Sequence, residues 1–196
     1  MDGGQREAWD SFYRANGRAW RRSCRLPDPF GGDGRALDAG CGSGKSSSTL
    51  IDMGYRVAGI DISGEAVSIC RSRFGASADF MRASVLDIPY PDSAFDYAVA
   101  VHVIGHLPDA DARLAFSELG RVLRPGGALF VRDFAPGDLR ETSRQSSGID
   151  YFHRSAGDVL ALCGGFDVVS SGEVEEPTRF GGVRRRAEAL LSNRKQ

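Results

Sequence analysis

An aspartate followed by three alternate glycines stands out in Leu37-Asp38-Ala39-Gly40-Cys41-Gly42-Ser43-Gly44. Glycines at 40, 42 and 44 let a chain turn tightly and leave room for a ligand beside its backbone. A dinucleotide-binding loop would follow Gly-x-Gly-x-x-Gly, but its sixth position here is Lys45. Asp38 at the mouth of the loop would repel a pyrophosphate and suit an ammonium group. Gly44-Lys45-Ser46 looks like the end of a phosphate-binding loop, yet position 39 is Ala where the opening glycine belongs. Lys45 is then expected to face solvent in the first turn of a helix. Asp61, in Gly59-Ile60-Asp61-Ile62-Ser63, lies 21 residues beyond Gly40, a spacing that lets an acid accept from both hydroxyls of a ribose. Asp87, in Ser84-Val85-Leu86-Asp87-Ile88-Pro89, could accept from an adenine amino group. His102 and His106 are the first candidates for a general base; Asp133, Tyr151 and His153 follow a later apolar run.

Alternating strands and helices must position these groups. Arg35 to Asp38 reads as a short strand, Ser46 to Gly54 as a helix stopped by glycine, and Tyr55 to Asp61 as a strand. Gly64 to Phe74 reads as a helix capped by Ser63. Asp79 to Ser84 is a weak strand, and Phe95 to His102 suits a strand buried on both faces. Asp109 to Leu123 has helical spacing, and Ala128 to Asp133 is a strand opened by the turn Arg124-Pro125-Gly126-Gly127. Asp158 to Cys163 is a short helix and Phe166 to Val174 a strand. Ahead of these, residues 5–25 read as one helix or two, with Trp9, Phe12, Tyr13 and Trp20 as apolar anchors. The expected fold is α/β: a mostly parallel, Rossmann-like sheet with helices on both faces. A helical cap segment, residues 1–30, precedes one domain over 31–196.

The length of 196 residues and the apolar share of 41% suit one domain with a real core. No apolar run approaches membrane-helix length and the first residues carry no signal pattern, so a cytoplasmic protein without a membrane partner is expected. Cys24, Cys41, Cys70 and Cys163 form no C-x-x-C pair and have no histidine at ligand spacing, so no metal site and reduced thiols are expected. The net charge of −1 combines two basic chain ends with an acidic middle.

The segments around Gly40, Asp61, Asp87 and Phe95–Asp109, with Arg121-Val122-Leu123-Arg124-Pro125-Gly126-Gly127-Ala128-Leu129, resemble class I S-adenosylmethionine (SAM)-dependent methyltransferases. The resemblance covers roughly residues 35–135. It implies a seven-stranded sheet with a closing antiparallel strand, placed at residues 184–192 although Ala-Glu-Ala-Leu-Leu favours helix. It implies SAM as cofactor. Asp38 and Gly40 would hold the methionine end, with Cys41, Gly42 and Gly44 completing the loop. Asp61 would take the ribose, Ile62 an adenine face, and Leu86 and Asp87 the adenine edge. Val101 and His102 would lie where the strand backbone nears the cofactor.

Val131-Arg132-Asp133-Phe134, Gly137-Asp138-Leu139 and Asp150-Tyr151-Phe152-His153 look like tRNA 3-methylcytidine methyltransferases. That resemblance implies an RNA base as acceptor, with His102, Asp133 and Tyr151 around it and Arg184, Arg185 and Arg186 on phosphates. The chain lacks those enzymes' long N-terminal extension and has a shorter loop. A small-molecule acceptor, or a SAM-binding subunit without activity, are the alternatives. Acceptor, oligomeric state and any need for a partner subunit are not readable from the sequence.

Overall fold

The alternation of strand and helix signals is realised in the structure, a computed structural model that describes residues 3–18, 24–139, 148–178 and 182–194. Helix α1 is Gly3–Asn16. It ends earlier than the sequence reading has it, with the Gly17 N–H on the Tyr13 carbonyl at 2.8 Å; Trp20 lies outside the described residues. Then come β1 (Arg35–Ala39), α2 (Lys45–Met53), β2 (Arg56–Asp61), α3 (Gly64–Phe74), β3 (Ala78–Arg82), β4 (Phe95–Val101), α4 (Asp109–Val122), β5 (Leu123–Phe134), α5 (Ala156–Leu162), β6 (Phe166–Pro177) and β7 (Val183–Asn193). The Ser63 hydroxyl caps α3 by accepting from the Ala66 N–H at 3.2 Å.

The strands form one sheet in the order β3-β2-β1-β4-β5-β7-β6. The first five pair in parallel, and β7 runs antiparallel to both β5 and β6. Residues 184–192 are therefore strand. Ladder bonds to two neighbours and burial of Ala187, Ala189 and Leu191 outweigh the local helix propensity. Strand β5 opens at Leu123, earlier than expected: Leu123 pairs with Phe95 and Ala128 with Tyr97, so the turn 124–127 bulges out between them.

Apolar side chains alternate between two cores. On one face Leu37, Ile60, Ala98 and Val131 pack under Phe116 and Leu119 of α4. On the other Ala36, Val57, Val99 and Phe130 pack with Leu50 of α2 and with Leu26. Both faces are covered, as a parallel sheet requires. The carboxyl ends of β1, β2, β4 and β5, where Gly40, Asp61, His102 and Phe134 lie, are left for a ligand. Among the described residues no helix is long and apolar enough to cross a membrane.

Candidate active site

Strand order brings the predicted groups to one edge. The smaller lobe of a cleft there, about 70 Å³, is lined by Gly40, Asp61, Ile62, Ala83, Val85 and Val103. The larger, about 420 Å³, is lined by Gly40, Cys41, Gly42, Ser43, Val101, Phe134 and Tyr151 among others. Trp9, Tyr13, His102 and His106 border both.

The loop after β1 is held by hydrogen bonds rather than by its own propensity. Gly40 and Cys41 donate to the Ile60 carbonyl at 2.8 and 2.9 Å. Gly40 sits at φ 72°, and a Cβ there would stand 2.3 Å from Val103 Cγ2; no other residue type fits. Asp61 accepts from the Gly42 N–H and the Ser63 N–H, both at 2.8 Å. Each carboxylate oxygen keeps a further lone pair for a ligand hydroxyl. Burial pushes Asp61 up to about 6.

Asp38 does not reach the cleft lining. It is 1% exposed and accepts from the Ser47 hydroxyl at 2.5 Å, beneath α2. Burial raises its pKa to about 7. Gly44 serves as the N-terminal cap position of α2. Of the loop after β3, Ala83 and Val85 line the small lobe. Asp87 is exposed, and its N–H bonds the Ser84 carbonyl at 3.2 Å.

His102 stacks on Phe134, centroids 4.4 Å apart and planes 19° apart. Its backbone takes φ 59°, an uncommon conformation for a non-glycine residue, and its N–H donates to the Arg132 carbonyl at 2.7 Å. Behind it, Asp133 Oδ1 is 4.0 Å from His102 Nδ1. Asp133 is 1% exposed and accepts from the Gly105 N–H and from its neighbour Phe134 at 3.0 Å. Burial drives it up to about 7. It can steady His102 but cannot touch an acceptor. His106 is differently engaged: Nδ1 meets the Asp150 carbonyl at 2.6 Å, so that nitrogen carries the proton. Its ring packs edge-on against Trp9 and Tyr151. His106 thereby holds the segment that presents Tyr151.

Sequence reasoning offered Arg184 and Arg186 as phosphate contacts and missed Arg25, Lys45 and Arg132 beside them. All five line the large lobe, with Glu176 as an acid. Lys45, expected to face solvent, is half-buried there. The period-two pattern of β7 was the available signal, since it puts Arg184, Arg186 and Glu188 on one face. Among the described residues no group of three or more His, Cys, Asp or Glu could hold a metal ion.

This sheet order, with a glycine loop after β1 and an acid ending β2, defines the class I SAM-dependent methyltransferase fold. Residues 37–131 match the family described as a methyltransferase domain, and the sheet as a whole has the fold of class I SAM-dependent methyltransferases. Curated relatives include the O-methyltransferase cnsE of Penicillium expansum, 37% identical over 103 residues, which span 50% of this chain and 37% of that protein. A demethylmenaquinone methyltransferase of Tropheryma whipplei is 34% identical over 118 residues, 59% of this chain and 48% of that one. The chain thus spans less than half of either relative. A solved SAM-dependent methyltransferase from Methanosarcina mazei superposes with TM-score 0.71 at 24% identity, covering 84% of this chain and 94% of that one. A putative methyltransferase of Haloferax volcanii, solved with the activator Trm112, gives TM-score 0.78 at 19% identity and 98% coverage of both chains. At these identities the structural likeness speaks for the fold.

The residues present fit the cofactor this fold implies. Among the described residues the buried Ser43 hydroxyl of the glycine loop has no hydrogen-bond partner, and both Asp61 carboxylate oxygens keep a lone pair beyond the one backbone N–H that each accepts. A ligand with a polar end at the loop and hydroxyls at Asp61 would satisfy both.

Proposed function

We propose that this chain is a SAM-dependent methyltransferase acting on a small acceptor through a hydroxyl, with His102 as its base. The observation that carries the reading is the position of His102, which borders both lobes of the cleft. A group there meets the cofactor from one side and the acceptor from the other. Asp61 would take the ribose hydroxyls, Ile62 one face of the adenine, and Ser43 with the loop N–H groups the methionine end. SAM supplies a methyl group already activated by its sulfonium. His102 accepts the hydroxyl proton, Phe134 fixes its ring, and Asp133 stabilises the cation that forms. Trp9 and Tyr13 of α1 cover the reacting centre and exclude water. On this reading residues 1–30 are a cap on a single domain over 31–196.

The names of the relatives favour a small acceptor, since they include O-methyltransferases and a demethylmenaquinone methyltransferase. Two of the three arginines offered for RNA phosphates are engaged within the chain. Arg186 is buried and paired with Asp138, and Arg185 pairs with Glu175 at 2.9 Å. The test is methylation with labelled SAM, comparing small-molecule, RNA and protein extracts. Label in the small-molecule fraction, reduced by His102→Asn, is the expected result. Label confined to RNA would overturn it.

A further inference from the structure

Arg184 lines the large lobe. Its neighbours on the sheet face are used within the chain: Arg132 pairs with Glu188 at 2.7 Å, and Arg186 with Asp138. Among the described residues Arg184 has no such carboxylate, and its Nε is buried without a hydrogen-bond partner. Glu176 stands opposite it in the β6–β7 ladder and lines the same lobe, yet forms no ion pair with it. A buried guanidinium N–H left unpaired is costly, and its planar fork matches a carboxylate.

Register locates this group relative to the reacting centre. Arg186 is the partner of Phe134, the last residue of β5, so Arg184 reaches two residues past that strand end. Strand β7 lies two places from β4, which leads into His102, and three places from β1, which leads into the glycine loop. At the usual strand spacing these are lateral separations of roughly 10 Å and roughly 14 Å, and Arg184 lies a further three residues, roughly 10 Å, along the strand from the level of His102. Arg184 is thus farther from the glycine loop than from His102, with which it lines the large lobe. Between them Tyr151 lines the lobe, while the ring of Phe134, 2% exposed, is covered by His102 and Arg186.

We propose that the acceptor is a small hydroxylated aromatic acid, its carboxylate on Arg184, its ring against Tyr151, and its hydroxyl at His102. This rests on the methyltransferase reading above. Hydroxybenzoates and hydroxycinnamates are the simplest acids that carry a hydroxyl and a carboxylate at opposite ends of one ring. Recognition would come from the charge, because a neutral amide of the same shape cannot replace a carboxylate in a charge-assisted pair with a guanidinium.

The test titrates a panel of hydroxybenzoates and hydroxycinnamates, each beside its primary carboxamide, with and without saturating S-adenosylhomocysteine. At least one acid should bind about ten- to a hundredfold more tightly than its amide. Arg184→Gln should erase that preference and leave S-adenosylhomocysteine affinity unchanged. Arg184→Lys should keep part of it, and Arg185→Gln all of it. Thermal unfolding verifies that each variant is folded; should Arg184→Gln fail to fold, Arg184→Lys carries the comparison. The proposal falls if no acid outbinds its amide, or if the preference survives at Arg184→Gln. Failure to bind S-adenosylhomocysteine would sink the methyltransferase reading instead, and the titration without it still reports on Arg184.

Discussion

Asp61 accepts the backbone N–H of Gly42 at 2.8 Å, so the acid that ends β2 also shapes the glycine loop that follows β1. The two halves of the cofactor site are one hydrogen-bonded unit. Asp61→Ala should therefore do two things. It should weaken S-adenosylhomocysteine binding by about ten- to a hundredfold, the effect of losing a carboxylate acceptor. It should also lower folding stability by about 1–3 kcal/mol, because the Gly42 and Ser63 N–H groups lose their acceptor. Calorimetry and denaturant unfolding on the same variant measure both. Unchanged affinity in a destabilised variant would make Asp61 a purely structural residue.

His102→Asn separates chemistry from backbone strain. Asparagine tolerates the left-handed conformation that His102 adopts at φ 59°. Turnover of a hydroxyl acceptor should fall about a hundred- to ten-thousandfold, the usual range for a lost general base. S-adenosylhomocysteine affinity should change little. Turnover within threefold of the parent would remove His102 from the mechanism.

Gly105→Ala tests the packing behind the base. A Cβ at Gly105 would stand 2.2 Å from Asp133 Oδ1. The carboxylate must move, and the bond it accepts from the Gly105 N–H must break. A loss of about 1–3 kcal/mol in urea unfolding is expected. Wild-type stability would show that Asp133 is free to shift.

The pH dependence has a definite sign. Burial raises Asp38 and Asp133 to about 7 and Asp61 to about 6, all above their ordinary value. The folded chain then binds protons that the unfolded chain releases. Their stabilising contribution is complete below about pH 4 and is lost as pH rises through 6 and 7, by up to ~1.4 kcal/mol per pH unit for each group. The melting temperature of the ligand-free protein should fall from pH 5 to pH 8. Binding of S-adenosylhomocysteine should run the other way around pH 6, because its hydroxyls need Asp61 ionised. A melting temperature that rises across this window would contradict the burial of these carboxylates.

What the sequence made legible was what short-range chemistry decides. Ser63 before an amphipathic run marks the start of α3, and apolar runs mark β4 and the core of β5. The class of the site was legible too, since Gly40, Gly42 and Asp61 carry their meaning in type and spacing. Side-chain direction was not. Asp38 reads as a ligand acid, but the strand pleat turns it toward α2 and Ser47. Three consecutive arginines at 184–186 read as one basic patch. Among the described residues two find acids and one does not, and that depends on Glu175 and on Asp138 in the loop after β5. Local patterns cannot reveal partners supplied from another part of the sheet.

Helix α1 is fastened differently from the body it covers. Its ties to α3 are an Asp10–Ser63 hydroxyl bond at 2.7 Å and a largely exposed Arg14–Glu65 pair at 3.0 Å; Gln5 bonds Gly148 and Asp150 at 3.0 Å. Of its side chains Tyr13 alone is fully buried. The exposed ties among these, Arg14–Glu65 and those of Gln5, contribute little, and the ion pair is screened by salt, whereas the sheet is held by burial on both faces. Two levels of opening follow. Amide hydrogens of α1 should exchange with deuterium well before those of β1 and β4, and faster still in high salt. Ligand can then enter and leave by local release of one helix, on a timescale independent of global unfolding.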